Sequence, residues 1–192
     1  MSDKATLRRA LSQRRRALTD PERRERSARV QAQLLAAPLF TCAKSIALYR
    51  PMGNEVDTAQ LHQAALEAGK QVAYPSVDGD DRGMRFLKVD RGTAWITHPR
   101  GFQVPHTDQV LSLDALELVV LPGLAFDPAG HRLGRGAGHY DRALAGLLRP
   151  KTIGLAYDFQ MIDCVPADPW DVPVDAIVHE RALCRATGRA DR

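Results

Sequence analysis

Apolar positions recur at helical spacing from the start of the chain. Between Asp3 and Leu18, Leu7, Ala10, Leu11 and Leu18 form one stripe, with Arg8, Arg15 and their neighbours outside it, which predicts a first helix. Thr19-Asp20-Pro21-Glu22 then reads as a stop and restart. Thr19 and Glu22 fit a capping box, Pro21 suits a first turn, and Val30, Leu34 and Leu35 supply the buried side of a second helix that Pro38 closes. Beyond this the pattern changes to short apolar runs separated by polar or glycine-containing stretches. Ser45–Tyr49, Gln71–Tyr74, Met84–Val89, Leu116–Leu121, Thr152–Tyr157 and Ala176–His179 are the predicted strands. Helices are expected at Thr58–Ala68, capped by Asp57 or Thr58 and ended by Gly69, and near His139–Leu148. Asp78–Gly83 reads as a polar turn, and the last eight or so residues as a frayed end.

Strand, helix and strand in alternation mean an α/β protein. Runs such as Leu118-Val119-Val120-Leu121 do not alternate, as expected of strands covered on both faces in a parallel or mixed sheet. The chain has 192 residues, 44% of them hydrophobic. That length can bury about 70% of the surface of the unfolded chain, so a single domain over 1–192 needs no disulfide or metal staple. Cys42, Cys164 and Cys184 form no CxxC pair, which points to reduced thiols and a cytoplasmic location. No apolar run approaches about 18 residues, so neither a membrane span nor a signal peptide is expected.

The formal net charge of +4 is uneven: residues 1–30 hold ten Lys/Arg against four Asp/Glu (+6), and the remainder 17 against 19 (−2). Such a segment suits nucleic acid, acidic lipid or an anionic small molecule, or is simply a solvated helix face.

The chemistry concentrates in residues 121–142, LPGLAFDPAGHRLGRGAGHYDR, where 16 positions hold five glycines against an expectation of about one. Gly134, Gly136 and Gly138 alternate, so the backbone can approach an anion closely and turn its N–H groups toward it. Arg132 and Arg135 flank the run with forked donors suited to phosphate. No Gly-Lys-Ser/Thr follows, and His139 stands where a dinucleotide fingerprint needs its third glycine. A phosphate cradle is therefore expected, with a tight structural turn as the alternative. Asp141 is either a magnesium ligand or a first-turn helix acid. Histidines at 62, 98, 106, 131, 139 and 179 show no zinc-binding spacing, and no cysteine or serine context marks a nucleophile.

Together these segments resemble the 5-formyltetrahydrofolate cyclo-ligase (5,10-methenyltetrahydrofolate synthetase) family. The residues that carry the resemblance are Lys4, Leu7, Arg8 and Arg14-Arg15-Arg16, YRPMGNEVDT at 49–58, the glycine block at 121–142, IGLAYDFQ at 153–160 and VPADPWDVPVDAIVHE at 165–180. It implies a three-layer α/β/α fold with a mostly parallel central sheet, preceded by two N-terminal helices. It also implies ATP- and Mg2+-dependent cyclisation of 5-formyltetrahydrofolate through a phosphorylated formyl group. By resemblance, ATP would meet Lys4, Arg8, Arg132, Gly134, Arg135, Gly136, Ala137, Gly138, His139 and Tyr140, with Arg132 and Arg135 catalytic. Met52, Glu55 and Tyr140 would hold the folate, and Asp141 and Asp171 the metal, while Asp175 is nearer a structural role. Tyr49, Met52, Met84, Trp95, Phe102 and Tyr157 are candidate apolar walls. Ala137 stands where some members have lysine, and His139 where Tyr or Phe is common. The expected protein is a monomer that meets 5-formyltetrahydrofolate and ATP but no nucleic acid or membrane. Two alternatives remain: a non-catalytic relative whose basic first helix binds nucleic acid, and an ATP-dependent cyclase of another N-formyl compound.

Overall fold

The computed structural model describes residues 3–77, 83–98, 101–145 and 151–188. Its elements run α1 (Lys4–Arg16), α2 (Asp20–Leu35), α3 (Pro38–Thr41), β1 (Ser45–Ala47), α4 (Ala59–Glu67), β2 (Gln71–Val77), β3 (Met84–Val89), β4 (Trp95–Thr97), β5 (Gln103–Pro105), β6 (Val110–Leu111), β7 (Leu118–Leu121), β8 (Ala125–Phe126), β9 (Arg132–Leu133), α5 (His139–Leu144), β10 (Lys151–Leu155), β11 (Ala176–Val178) and β12 (Leu183–Arg185). The turn expected at 78–83 lies outside the described residues except for Gly83, as do the far end of the helix expected at 139–148 and the last four residues.

Eight strands form one sheet in the order β12-β11-β10-β7-β1-β2-β3-β6. The centre is parallel, through the β11–β10, β10–β7, β7–β1 and β1–β2 pairings. The edges turn antiparallel at β2–β3, β3–β6 and β11–β12. One face packs Ile46, Leu48, Val72, Val120, Ile153 and Leu155 against Val30, Leu34, Phe40, Leu61 and Ala65 of α2, α3 and α4. The other face packs Ala47, Ala73, Val119 and Leu121 beneath Phe126 of β8 and Leu144 of α5. Both faces of the central strands are thereby covered, which explains why β1, β7 and β11 are buried at every position.

Local signals set the helix starts. Thr19 and Glu22 form the expected capping box, and Pro21 lies in the first turn of α2. Pro38 does not close α2, which ends at Leu35; it opens the short α3, a position where its missing N–H costs nothing. At α4 the Thr58 hydroxyl turns away to donate to Tyr49 O, while Asp57 Oδ1 accepts from Ala59 N. The remaining cap is long-range, with Gln31 Oε1 of α2 accepting from Gln60 N and Leu61 N. The strands β4, β5, β6, β8, β9 and β12 are two or three residues long, too short to show a period in sequence.

The first helix corrects its predicted face. Leu11 is buried, and so is Arg15, expected outside the apolar stripe, whereas Ala10 is exposed. Leu7 and Leu11 pack on Leu124, Ala125, Leu133 and Val165, so α1 lies over the β8–β9 hairpin at the carboxyl end of the sheet. Phe126 anchors that hairpin to the sheet, and its ring lies so close to β10 that a Cβ on Gly154 would stand 2.2 Å from it. Gly154→Ala should therefore force the ring or the strand aside, lowering stability by about 1–3 kcal/mol. A denaturant midpoint equal to that of the parent protein would refute this close fit.

Candidate functional site

A cleft of ≈ 840 Å³ opens where β1, β2 and β7 end and β3 begins, the position at which open α/β sheets bind ligands. Its walls come from α1, the 49–55 loop after β1, residues 122–124 after β7, the β9–α5 connection and the segment 168–171.

The first helix supplies cations. Lys4, Arg8 and Arg15 stand at i, i+4 and i+11, one face of a helix, and all three point into the cleft. Lys4 Nζ binds Asp168 Oδ2 at 2.6 Å and Asp171 Oδ2 at 2.7 Å. Arg8 Nε donates to Gly134 O at 2.9 Å, and Arg15 Nη1 to Gly123 O at 3.3 Å. The basic charge of the N-terminus is thus turned inward at these positions.

Arg132 leaves β9 and is buried. Its Nη2 meets Asp141 Oδ1 at 2.7 Å, and its Nη1 donates to Val172 O. Val172 N in turn donates to Asp141 Oδ1 at 3.0 Å, so one carboxylate oxygen ties α5 to the segment before β11. Burial pulls the Arg132 guanidinium below its ordinary range, against the opposing charge of Asp141. In the glycine run Gly136 and Gly138 adopt φ of 109° and 64°, conformations that side chains rarely take, and Gly138 is the N-cap of α5. Arg142 Nη1 donates to Ala137 O at 2.8 Å, and Arg142 Nη2 lies 3.0 Å from His139 Nδ1.

Glu55 is the acid at the centre of the cleft, its side chain only 6% exposed. Met52 N donates to its Oε2 at 2.9 Å. Arg135 reaches across from the glycine run to Oε1 at 2.9 Å, and Arg15 Nη2 lies 3.6 Å from the same oxygen. A carboxylate removed from water is tolerated because cations and a backbone N–H face it. The loop that carries it is fixed from behind. Asn54 Nδ2 donates to Arg15 O at 3.1 Å and Leu18 O at 2.9 Å, and Tyr157 Oη donates to Glu55 O at 3.2 Å. Tyr140 shares the cleft, and burial together with the Glu55 charge pushes its phenol well above the ordinary range, so it stays protonated.

The sequence-expected residues Lys4, Arg8, Met52, Glu55, Arg132, Gly134–Tyr140, Asp141 and Asp171 therefore all line one cleft. Tyr49, Met84 and Phe102 line it too. Two expected walls do not. Tyr157 is fully buried beneath the Glu55 loop, and Trp95 packs edge-on against Tyr74, with ring centroids 4.8 Å apart, behind the cleft lining. Asp175 binds Thr152 N and Oγ1 between β10 and β11, a structural tie. Sequence reasoning missed Asp168, which shares Lys4 with Asp171, and Trp170, 70% exposed at the rim. The helical spacing of Lys4, Arg8 and Arg15 was the available signal for a cation-bearing face, whereas Asp168 and Trp170 lie in a turn that has no periodic pattern.

The model of the 5-formyltetrahydrofolate cyclo-ligase family matches residues 1–180. The chain is similar to the 5-formyltetrahydrofolate cyclo-ligase of Escherichia coli (strain K12), at 32% identity over 88% of this chain and 95% of that protein. Its fold is similar to the NMR structure of Aquifex aeolicus 5,10-methenyltetrahydrofolate synthetase, with TM-score 0.85 and 33% identity over 98% of this chain and 96% of the other. A 5,10-methenyltetrahydrofolate synthetase from Mycoplasma pneumoniae aligns with TM-score 0.76 and 29% identity over 94% of this chain and all of that one (100%).

The Lys4 ties have a defined pH signature. Burial would raise the Asp171 carboxyl, but the Asp168 N–H and Lys4 outweigh it and hold it below 3.8. A depressed carboxylate stabilises the fold above its unfolded pKa and loses that contribution as pH falls through the folded value. Without added divalent cation, Lys4→Met should cost about 1 kcal/mol or less at pH 7, since the pair is partly exposed. The gap between the two urea midpoints should close as pH drops below 3.8. A gap that stays constant as the medium is acidified well past that point would show that the lysine acts through packing alone.

Proposed function

Because the chain belongs to the 5-formyltetrahydrofolate cyclo-ligase family and is an enzyme of that activity, we propose that it couples formation of 5,10-methenyltetrahydrofolate to cleavage of ATP in this cleft. The observation that carries the reading is the Arg135–Glu55 contact of 2.9 Å. It joins the glycine run, where phosphates would lie, to the buried acid that would hold the pterin. The two substrates would therefore meet at one point.

The formyl group on N5 is an amide and a weak electrophile. In the proposed reaction its oxygen attacks the γ-phosphorus of ATP and ADP leaves. N10 then attacks the activated carbon, loses its proton, and phosphate departs with the former formyl oxygen. No protein nucleophile is required. The protein's task is to align formyl oxygen and γ-phosphate and to neutralise the charge that develops, and alignment alone can supply about 7–11 kcal/mol. Lys4, Arg8 and Arg132 are the cations for the phosphates, and Gly134–Tyr140 provide backbone N–H groups and close approach. Arg135 sits at the junction, on Glu55 in this structure and within the run that would face the γ-phosphate. Glu55 accepts from the amino and ring N–H donors of the reduced pterin, Tyr140 offers a phenol donor, and Met52 lines the same pocket.

Asp141 and Asp171 suit a hard cation. Every hydrogen bond described for Asp141 falls on Oδ1 and for Asp171 on Oδ2, so each carboxylate has a second oxygen outside these bonds. Among the described residues no group of three His, Cys, Asp or Glu side chains converges on one point. Two carboxylates without a soft ligand match Mg2+, which completes its shell with water and substrate phosphates. When bound it would neutralise charge on the β- and γ-phosphates. The inward-facing Lys4, Arg8 and Arg15 favour this reading over nucleic-acid binding by α1.

With Mg2+ and ATP, purified protein should convert 5-formyltetrahydrofolate to the methenyl chromophore. Asp141→Asn and Asp171→Asn should each lower turnover by roughly 10–100-fold, with the loss partly recovered at high Mg2+. Glu55→Gln should act mainly on the folate KM. Wild-type turnover in both aspartate variants would reject their assignment, and an unchanged folate KM in Glu55→Gln would reject the pterin contact.

A further inference from the structure

The cleft is chemically graded along the sheet. Over β7 and the hairpin beside it lie the cations and carboxylates described above; Glu55 follows at the exit of β1. Beyond it, toward β2 and β3, the lining includes Tyr74, Val77, Met84 and Phe102, with Arg50 beside Tyr74; Arg142, on the α5 helix that packs against β3, lines the cleft as well and is bonded to Ala137 O. From β7 across β1 and β2 to β3 is three strand spacings, about 14 Å, so the graded surface can hold an extended molecule.

Arg50 is built in an unusual way. Its guanidinium carbon lies 4.4 Å over the centre of the Trp95 ring, and Trp95 is fixed edge-on against Tyr74. Among the described residues, ion pairs engage Lys4, Arg15, Arg132 and Arg135 in the cleft but not Arg50, which is exposed at its outer end. The ring beneath it fixes the plane of the fork without using its N–H donors. His62, bonded to Tyr74 Oη at 3.0 Å, is held below the ordinary histidine range by burial and by the Arg50 charge, so it adds no second cation there at neutral pH.

We propose that Arg50, stacked on Trp95, anchors the glutamyl carboxylates of the folate substrate, with Phe102, Met84 and Val77 covering the aminobenzoyl ring. This rests on the proposed function, which sets the pterin at Glu55 and so sends the other end of the molecule over β2 and β3. A carboxylate needs a forked cation at that end, and the cleft offers one there, already oriented before binding.

The test compares 5-formyltetrahydrofolate, its triglutamate and 5-formyltetrahydropteroate, which lacks glutamate, by calorimetric binding and by turnover. Wild-type protein should bind the two glutamyl compounds at least tenfold more tightly than the pteroate. Arg50→Gln should collapse that ratio to near one, Arg50→Lys should retain part of it, and Trp95→Leu should reduce it with Arg50 still present. A ratio in Arg50→Gln equal to wild type, or a wild-type ratio of one, overturns the assignment. If the ratio behaves as expected but no methenyl product forms with Mg2+ and ATP, the reaction assignment fails and the Arg50 subsite stands. Normal turnover with a ratio that Arg50→Gln leaves unaltered means the opposite: the reaction stands and the Arg50 subsite falls.

Discussion

A carboxylate buried in a protein must be met by positive charge, and the arrangement of this molecule follows from meeting that demand at Glu55. The acid sits on a loop released by β1, and the groups that face it come from elements far apart in sequence: Arg15 from α1, Arg135 from the β9–α5 connection and Met52 N from its own loop. Removing an acid from water without such partners costs several kcal/mol, so α1 cannot undock nor the glycine run swing away without exposing that cost. The apolar contacts of Leu7 and Leu11 with Leu124, Leu133 and Val165 hold the helix down, and the ion pairs fix its register. Packing and electrostatics here constrain the same degree of freedom.

Behind the acid the supports are neutral hydrogen bonds that need no charge. Asn54 ties the loop to the end of α1, and Tyr157 ties its backbone to the start of the segment after β10. Gln160 continues the chain of support by donating to Gly123 O and Leu124 O, which closely follow β7. Strands β1, β7 and β10 are neighbours in the sheet, so the three loops that leave them are cross-tied directly above their carboxyl ends. A site assembled this way inherits the rigidity of the parallel core and not that of any single loop.

Legibility in the sequence tracks the range of the interaction responsible. The α2 start is readable because Thr19 and Glu22 are three residues apart and cap one another. The cap of α4 is half hidden, since Asp57 is local but Gln31 reaches from another helix. Sequence alone puts Arg15 on the wrong face because a buried arginine looks like a surface residue until its partner, Glu55, is known to lie 40 positions on. Tyr157 passes for a cleft wall for a similar reason: aromaticity shows that a residue is buried but not on which side of a loop. The family resemblance supplies Lys4, Arg8, Met52, Glu55, Arg132, Gly134–Tyr140, Asp141 and Asp171, which the fold brings together, but not Asp168 or Trp170. It does not supply their pairing, above all that Arg135 crosses to Glu55 and that Lys4 is shared by two aspartates.

That pairing bears on how a polyanion can enter a site already rich in acids. Lys4 and Arg132 are each engaged with aspartates, so part of the positive charge on the phosphate side is internally compensated, while Arg8 is bonded to a backbone carbonyl. Such a surface discriminates. A bare anion that engages Lys4 or Arg132 would break their pairs with aspartate and leave the carboxylates facing it, an arrangement that like-charge repulsion opposes. An anion arriving with a divalent cation would meet both needs at once: the lysine and arginines would face the phosphate oxygens, and the released aspartates would hold the metal. Each broken pair of opposite charges would then be replaced by a new one. In the proposed reaction a preference for a metal-bound nucleotide over free nucleotide or free phosphate would come from having the carboxylates and the basic residues interleaved, and a cleft lined with cations alone would lack it.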